Sequence, residues 1–100
     1  MGSHMAKLEI IGTKLPSEVV MEVVLNSLNA RLKDVEEIII KLQTTISEFE
    51  KKHRLSSDKF LEKWRSNELE DNMDFFEWET CLTLLQKLSK EREALKEVLQ

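Results

Sequence analysis

The stretch from Leu25 to Phe49 reads LNSLNARLKDVEEIIIKLQTTISEF. Its apolar residues Leu25, Leu28, Leu32, Val35, Ile39, Leu42, Ile46 and Phe49 fall in unbroken 3-4 spacing. Every a and d position of a heptad repeat is therefore filled. Such a seam stays on one side of a helix only if the helix coils slightly around another helix. The stretch predicts a long helix that needs a helical partner, and it makes association the leading idea.

Working upstream, the helical pattern continues without a break to Pro16, which suits a first helical turn. Val19, Val20, Met21, Val23, Val24 and Leu25 make the opening turns apolar almost all round. A helix that is apolar on every side must be covered on more than one face. Before it, residues 7–14 read as a short β-strand, with Leu8, Ile10 and Ile11 in the run and Gly12 breaking it. Residues 1–5 are an expression scar and lie outside the fold.

Downstream, the first helix spans residues 16–53, about 55 Å at 1.5 Å per residue. Ser56 or Ser57 caps a short helix over 57–66 carrying Phe60, Leu61 and Trp64. Residues 66–72 are polar and form a turn. Asp74 is the expected N-cap of the last helix, with Glu77 in the capping-box position and a staple between Met73 and Trp78. That helix covers residues 74–99. Its stripe is Trp78, Cys81, Leu85, Leu88, Arg92, Leu95 and Leu99, with Arg92 the one polar break. It is long enough to fold back antiparallel over about two-thirds of the first helix. The expected fold class is all-α: a single domain, residues 6–100, forming a long coiled-coil-type helical hairpin with a short middle helix and a short N-terminal strand.

The uncovered end is where a second chain is expected. The self-association set is Leu8, Ile10, Val20, Met21, Val24, Leu25, Leu28 and Leu32, and a homodimer is the expected state. One pair, Arg31 at g and Glu36 at e, favours a parallel dimer.

Composition narrows the function. The chain has 100 residues, 34% of them charged, with two Gly, one Pro and a formal charge of −4. Such a balance suits helices and gives no support to nucleic-acid binding over the whole surface. No apolar run is long enough to span a membrane. A lone Cys81 fits a reducing, cytoplasmic setting and belongs on the apolar stripe as a buried thiol. His53 is the one histidine beyond the scar and is expected to be exposed at a helix end among Lys51, Lys52 and Arg54. No catalytic, cofactor-binding or metal-binding set emerges, so no enzyme and no cofactor is expected.

One constellation stands out. Between Ser66 and Gln86 there are six acids, Glu68, Glu70, Asp71, Asp74, Glu77 and Glu79, and no Lys or Arg. Of 19 acids in all, this leaves 13 against 15 basic residues elsewhere. Leu69, Met73, Phe75, Phe76 and Trp78 are interleaved with the acids. Acids gather at helix N-termini because the dipole favours them, and aromatics fill hairpin corners. The same pattern is that of an acidic-aromatic docking patch for a basic protein. Its residues are Glu68, Glu70, Asp71, Asp74, Phe75, Phe76 and Trp78. Phe75 and Phe76, adjacent on one helix, cannot easily both face inward.

A strand followed by Leu15-Pro16-Ser17-Glu18 and a helix also opens the ribbon-helix-helix DNA-binding fold, whose strands enter the major groove. Here one strand face would carry Lys7, Glu9, Ile11 and Thr13, and the other Leu8, Ile10, Gly12 and Lys14. Neither is a convincing base-reading face.

Ser56, Ser57, Phe60 and Trp64, then Glu68-Leu69, Asp71 and Asp74-Phe75-Phe76-Glu77-Trp78-Glu79, carry a resemblance. This segment resembles small helical antitoxin-like proteins of archaeal and bacterial toxin–antitoxin operons, whose toxins are often RNA-cleaving. The strand and Leu15-Pro16 fit that pattern. His53-Arg54-Leu55 departs from it, a Tyr-Gly-Met type of turn being commoner, and so does Asn67, where Gly is commoner. The resemblance implies a binding role with no catalytic residues, and a small basic toxin as partner. Two other readings stay open: a structural or adaptor coiled coil, and a DNA-binding autoregulator acting through the strand.

Overall fold

The computed structural model describes residues 16–100. The expected strand at 7–14, with Leu8 and Ile10, lies outside the described residues. The described chain is all-helical: α1 (Ser17–His53), α2 (Ser57–Arg65) and α3 (Met73–Leu99). Its longest dimension is 59 Å, which is set by the 37 residues of α1.

Pro16 lies just outside α1 and its carbonyl accepts the first helical bonds, from the N–H groups of Val19 and Val20. No Gly or Pro interrupts the helix until it ends at His53. Arg54 then turns into the left-handed region at φ 52°, and the Leu55 N–H reaches back to the Glu50 carbonyl at 3.1 Å. This 6→1 bond closes the helix end and turns Leu55 toward the core. The end of α2 repeats the device. Asn67 takes φ 57°, and the Glu68 N–H bonds the Lys63 carbonyl at 3.0 Å.

Ser56 caps α2 by accepting from the Lys59 N–H at 3.2 Å. The start of α3 differs from expectation. Its cap is Asn72, whose Oδ1 accepts from the Asp74 N–H at 2.8 Å. Met73 is already helical and almost fully exposed, so no hydrophobic staple forms. An earlier cap is favoured because it releases the Asp74 carboxylate to meet α1.

The long helices α1 and α3 pack on each other as a hairpin. The core has two clusters. One, at the corner, holds Ile46, Phe49, Phe60, Phe75, Trp78 and Cys81. The other, along the shaft, holds Val35, Ile39, Leu88 and Leu95, with Leu28, Leu32 and Leu42 against it. The heptad seam is thus filled from within the same chain. Arg31 and Glu36 serve this intramolecular pairing. Arg31 makes a two-pronged pair with Glu91, Nη2 to Oε1 at 2.9 Å, and Glu36 lies 3.8 Å from Lys96. Within the described chain both therefore pair with α3. Leu28 is the first α1 side chain packed on the shaft cluster. In the turns before it Val20, Met21 and Val24 are half-buried, while Val19, Val23 and Leu25 are exposed.

No helix among the described residues is long and apolar enough to cross a membrane.

Candidate protein-binding site at the hairpin corner

The corner is built from three helix ends. The last turn of α1 brings Lys52 and His53 to the first turn of α3, where the Asp74 carboxylate takes both. Asp74 Oδ2 lies 2.6 Å from Lys52 Nζ and 2.9 Å from His53 Nε2. Hydrogen bonds from Lys52, then His53, hold the Asp74 carboxyl below its ordinary range. His53 is a correction to the sequence reading. Its side chain is only 18% exposed and its ring packs at 4.9 Å from Phe75 and 5.9 Å from Trp78. A histidine on the inner face of a last turn stays near the core once the partner helix supplies both aromatic walls and a carboxylate.

Behind this clasp sits an aromatic stack. Phe60 and Trp78 lie nearly parallel with centroids 4.0 Å apart, and Phe49 is 5.9 Å from Trp78 on a third helix. The Trp78 indole N–H donates to Ser57 Oγ at 3.1 Å. The Ser57 backbone N–H in turn donates to Glu50 Oε2 at 2.9 Å. The three helices are thereby locked in one orientation.

The docking set expected from sequence divides here. Trp78 is fully buried and Phe75 nearly so, so neither offers a surface to a partner: both face α1 and α2 across the corner. Asp74 is turned into the clasp. Phe76, one position from Phe75, points outward and is 47% exposed. Glu68, Glu70 and Asp71 are exposed on the α2–α3 connection. Among the described ion pairs none engages these three acids. The surface left to a partner is therefore Glu68, Glu70, Asp71 and Phe76. Trp64 adds to it. Its ring meets Phe76 edge to face at 5.0 Å and 90°, and only the α2–α3 packing reveals that neighbourhood.

The described residues of the set expected to self-associate lie toward the other end of α1. Val20, Met21, Val24, Leu28 and Leu32 are half-buried and Leu25 is exposed. Val19 and Val23 join them, Val23 at 60% exposure. At the same end of the hairpin, Val98 on α3 is exposed.

Cys81 is buried in the corner cluster, where burial, then Glu77 one turn away, pushes its thiol up. Among the described residues no group of three or more His, Cys, Asp or Glu is placed to hold a metal ion.

No protein-family model matches this sequence, and no curated protein or solved structure shows significant similarity to it.

Proposed function

We propose that this protein is a non-catalytic binding subunit. It self-associates through the N-terminal turns of α1 and docks a basic partner protein on the α2–α3 corner. The observation that carries this reading is the unequal length of the two long helices, 37 residues against 27. Inside the hairpin the apolar seam is satisfied. Beyond it, α1 runs on with Val19, Val23 and Leu25 exposed. Apolar side chains concentrated on one end of a rod mark an interaction surface more often than a solvated one.

The finer reading is an antitoxin-like neutraliser that covers the RNA-binding face of a small toxin. Its support is the resemblance over residues 56–79 and the exposed acids Glu68, Glu70 and Asp71, which no ion pair among the described residues engages. A surface that engages RNA phosphates is basic, and an acidic, aromatic-bearing corner complements it. The test has two parts. Light scattering after gel filtration should give twice the chain mass. Co-expression with the product of the adjoining gene should yield a complex that Glu68→Lys, Glu70→Lys and Asp71→Lys together abolish. A monomer at all concentrations removes the self-association half. A complex indifferent to the triple charge reversal removes the docking half.

A further inference from the structure

Between the end of α2 and the start of α3 lies a cavity of about 240 Å³ lined by Trp64, Asn67, Leu69, Asp71 and Phe76. This is smaller than the roughly 300–1,000 Å³ typical of drug-sized ligand pockets and suits a single side chain. Its walls are specific. Trp64 and Phe76 stand at right angles with centroids 5.0 Å apart, so one presents a face where the other presents an edge. Leu69 gives an apolar floor, half-buried against the corner core. Asp71 lines the cavity, and none of the described ion pairs engages it.

Two rings in a corner and one carboxylate are the elements that recognise a flat cation. Aromatic faces attract cations through their quadrupole. Guanidinium stacks on such faces and also forks onto a carboxylate, and it is less strongly hydrated than an ammonium. The neighbouring Glu68 and Glu70 add negative potential, and no Lys or Arg is among the residues that line the cavity. The positive φ of Asn67 turns the chain so that Leu69 and Asp71 return beside Trp64.

We propose that this cavity is an arginine pocket: it takes one arginine side chain of the basic partner protein, stacked on Trp64 or Phe76 and paired with Asp71. The proposal rests on reading the corner as a protein-docking surface, and it names the chemistry that anchors the partner.

The experiment uses the full chain and a blocked peptide of glycine and serine around a single arginine. Twin peptides carry lysine or the uncharged isostere citrulline instead. Nuclear magnetic resonance follows the Trp64 indole N–H and the backbone amides of Asn67, Leu69, Asp71 and Phe76 during titration. The arginine peptide should shift these signals together and saturate them, with lysine weaker and citrulline weaker still. Asp71→Asn and Phe76→Ala should each weaken binding about five- to tenfold. Asp71 is exposed, so the Asp71→Asn melt should stay unchanged, while Phe76→Ala loses its edge-to-face contact with Trp64 and should melt a few degrees lower with the same helical content. Glu97→Gln, at the far end of α3, should bind as the parent does. Equal response to citrulline, undiminished binding by Asp71→Asn, or shifts scattered over the acidic surface would overturn the pocket. The two levels separate cleanly. A partner that co-purifies undiminished with Asp71→Asn leaves the docking role standing and removes the pocket. Peptide binding without any basic protein partner does the reverse.

Discussion

His53 and Asp74, 21 residues apart in sequence, are joined at 2.9 Å from Nε2 to Oδ2 across the end of the hairpin. Lys52 shares the same carboxylate oxygen at 2.6 Å. The last turn of α1 is thereby tied to the first turn of α3. Lys52 also sits where the carbonyl end of the α1 dipole favours a cation, and Asp74 where the amide end of α3 favours an anion.

The pH consequence follows from Asp74. Its carboxyl titrates below its ordinary value of about 3.9 because Lys52 and His53 bind the ionised form. A carboxylate lowered in the folded state stabilises the fold above its unfolded value, and that contribution is lost as pH falls through the folded one. Glu91, lowered by Arg31, acts in the same direction. Thermal melts of the parent and Asp74→Asn should differ at pH 6–7, with the parent more stable, and converge well below pH 4. A gap that persists unchanged at pH 2.5 would show that the clasp is not electrostatic.

Trp78 is the centre of the corner. It is fully buried, stacks on Phe60 at 4.0 Å and 4°, and bonds Ser57 through its indole. Trp78→Ala should cost about 3–5 kcal/mol, a large part of the stability of so small a domain. Trp78→Phe keeps a ring against Phe60 but drops the Ser57 bond, so it should cost distinctly less. Denaturant titration followed by circular dichroism reads both.

Much of this hairpin was legible in the sequence for one reason: periodicity is a property of local residues. The seam from Leu25 to Phe49 and the stripe from Trp78 to Leu95 allow a hairpin when a nine-residue α2 joins them, but periodicity alone leaves open whether the seam is filled within or between chains. The site was less legible because it depends on which neighbour meets which. His53 reads as a surface residue among basic neighbours until α3 places Phe75, Trp78 and Asp74 around it. The α3 cap was placed two residues late because Asp74 and Asn72 are both good caps by type, and only the α1 contact decides between them. Trp64 could have been found as a neighbour of Phe76 only by packing α2 against α3.

Among the described residues Arg54 and Asn67 are the non-glycine residues with positive φ. A left-handed turn penalises a residue with a Cβ, and glycine avoids that cost. Arg54→Gly should therefore stabilise the fold by about 1 kcal/mol, less the unfolded-state entropy that glycine adds. Asn67→Gly should gain less, since Asn tolerates this region best after Gly. For a domain of this size 1 kcal/mol is about 4–8 °C in Tm, well within the reach of a melt.

Arg92 breaks the α3 stripe between Leu88 and Leu95, both buried. Among the described residues its Nε is buried without a hydrogen-bond partner, and the Glu93 carboxylate lies 3.7 Å away. An unsatisfied buried donor costs about 1–3 kcal/mol. Arg92→Leu should raise Tm, and a fall would show that the guanidinium is not an unsatisfied donor in the folded chain. The polar break also disfavours sliding of α3 along α1, because any slide places Arg92 against another apolar layer. Arg92→Leu should therefore also weaken the single register, visible as broadened amide signals for Leu85 to Leu99.

The exposed turns at the start of α1 give the sharpest separation between folding and association. Val23 and Leu25 are exposed and pack on neither core cluster. Changing both to Glu removes apolar area from the end of the rod and places like charges beside Glu18 and Glu22, which would face their own copies in a symmetric pair. The hairpin itself should hardly notice, since exposed substitutions away from caps and clasps usually stay within about 0.5 kcal/mol. Light scattering should show the parent as a dimer and the double variant as a monomer, with the same helical content by circular dichroism. In the parent Tm should rise with protein concentration, because association stabilises only the folded chain. In the variant that dependence should vanish. A parent whose Tm is flat from about 1 to 100 µM would overturn self-association through this end, whatever its elution volume.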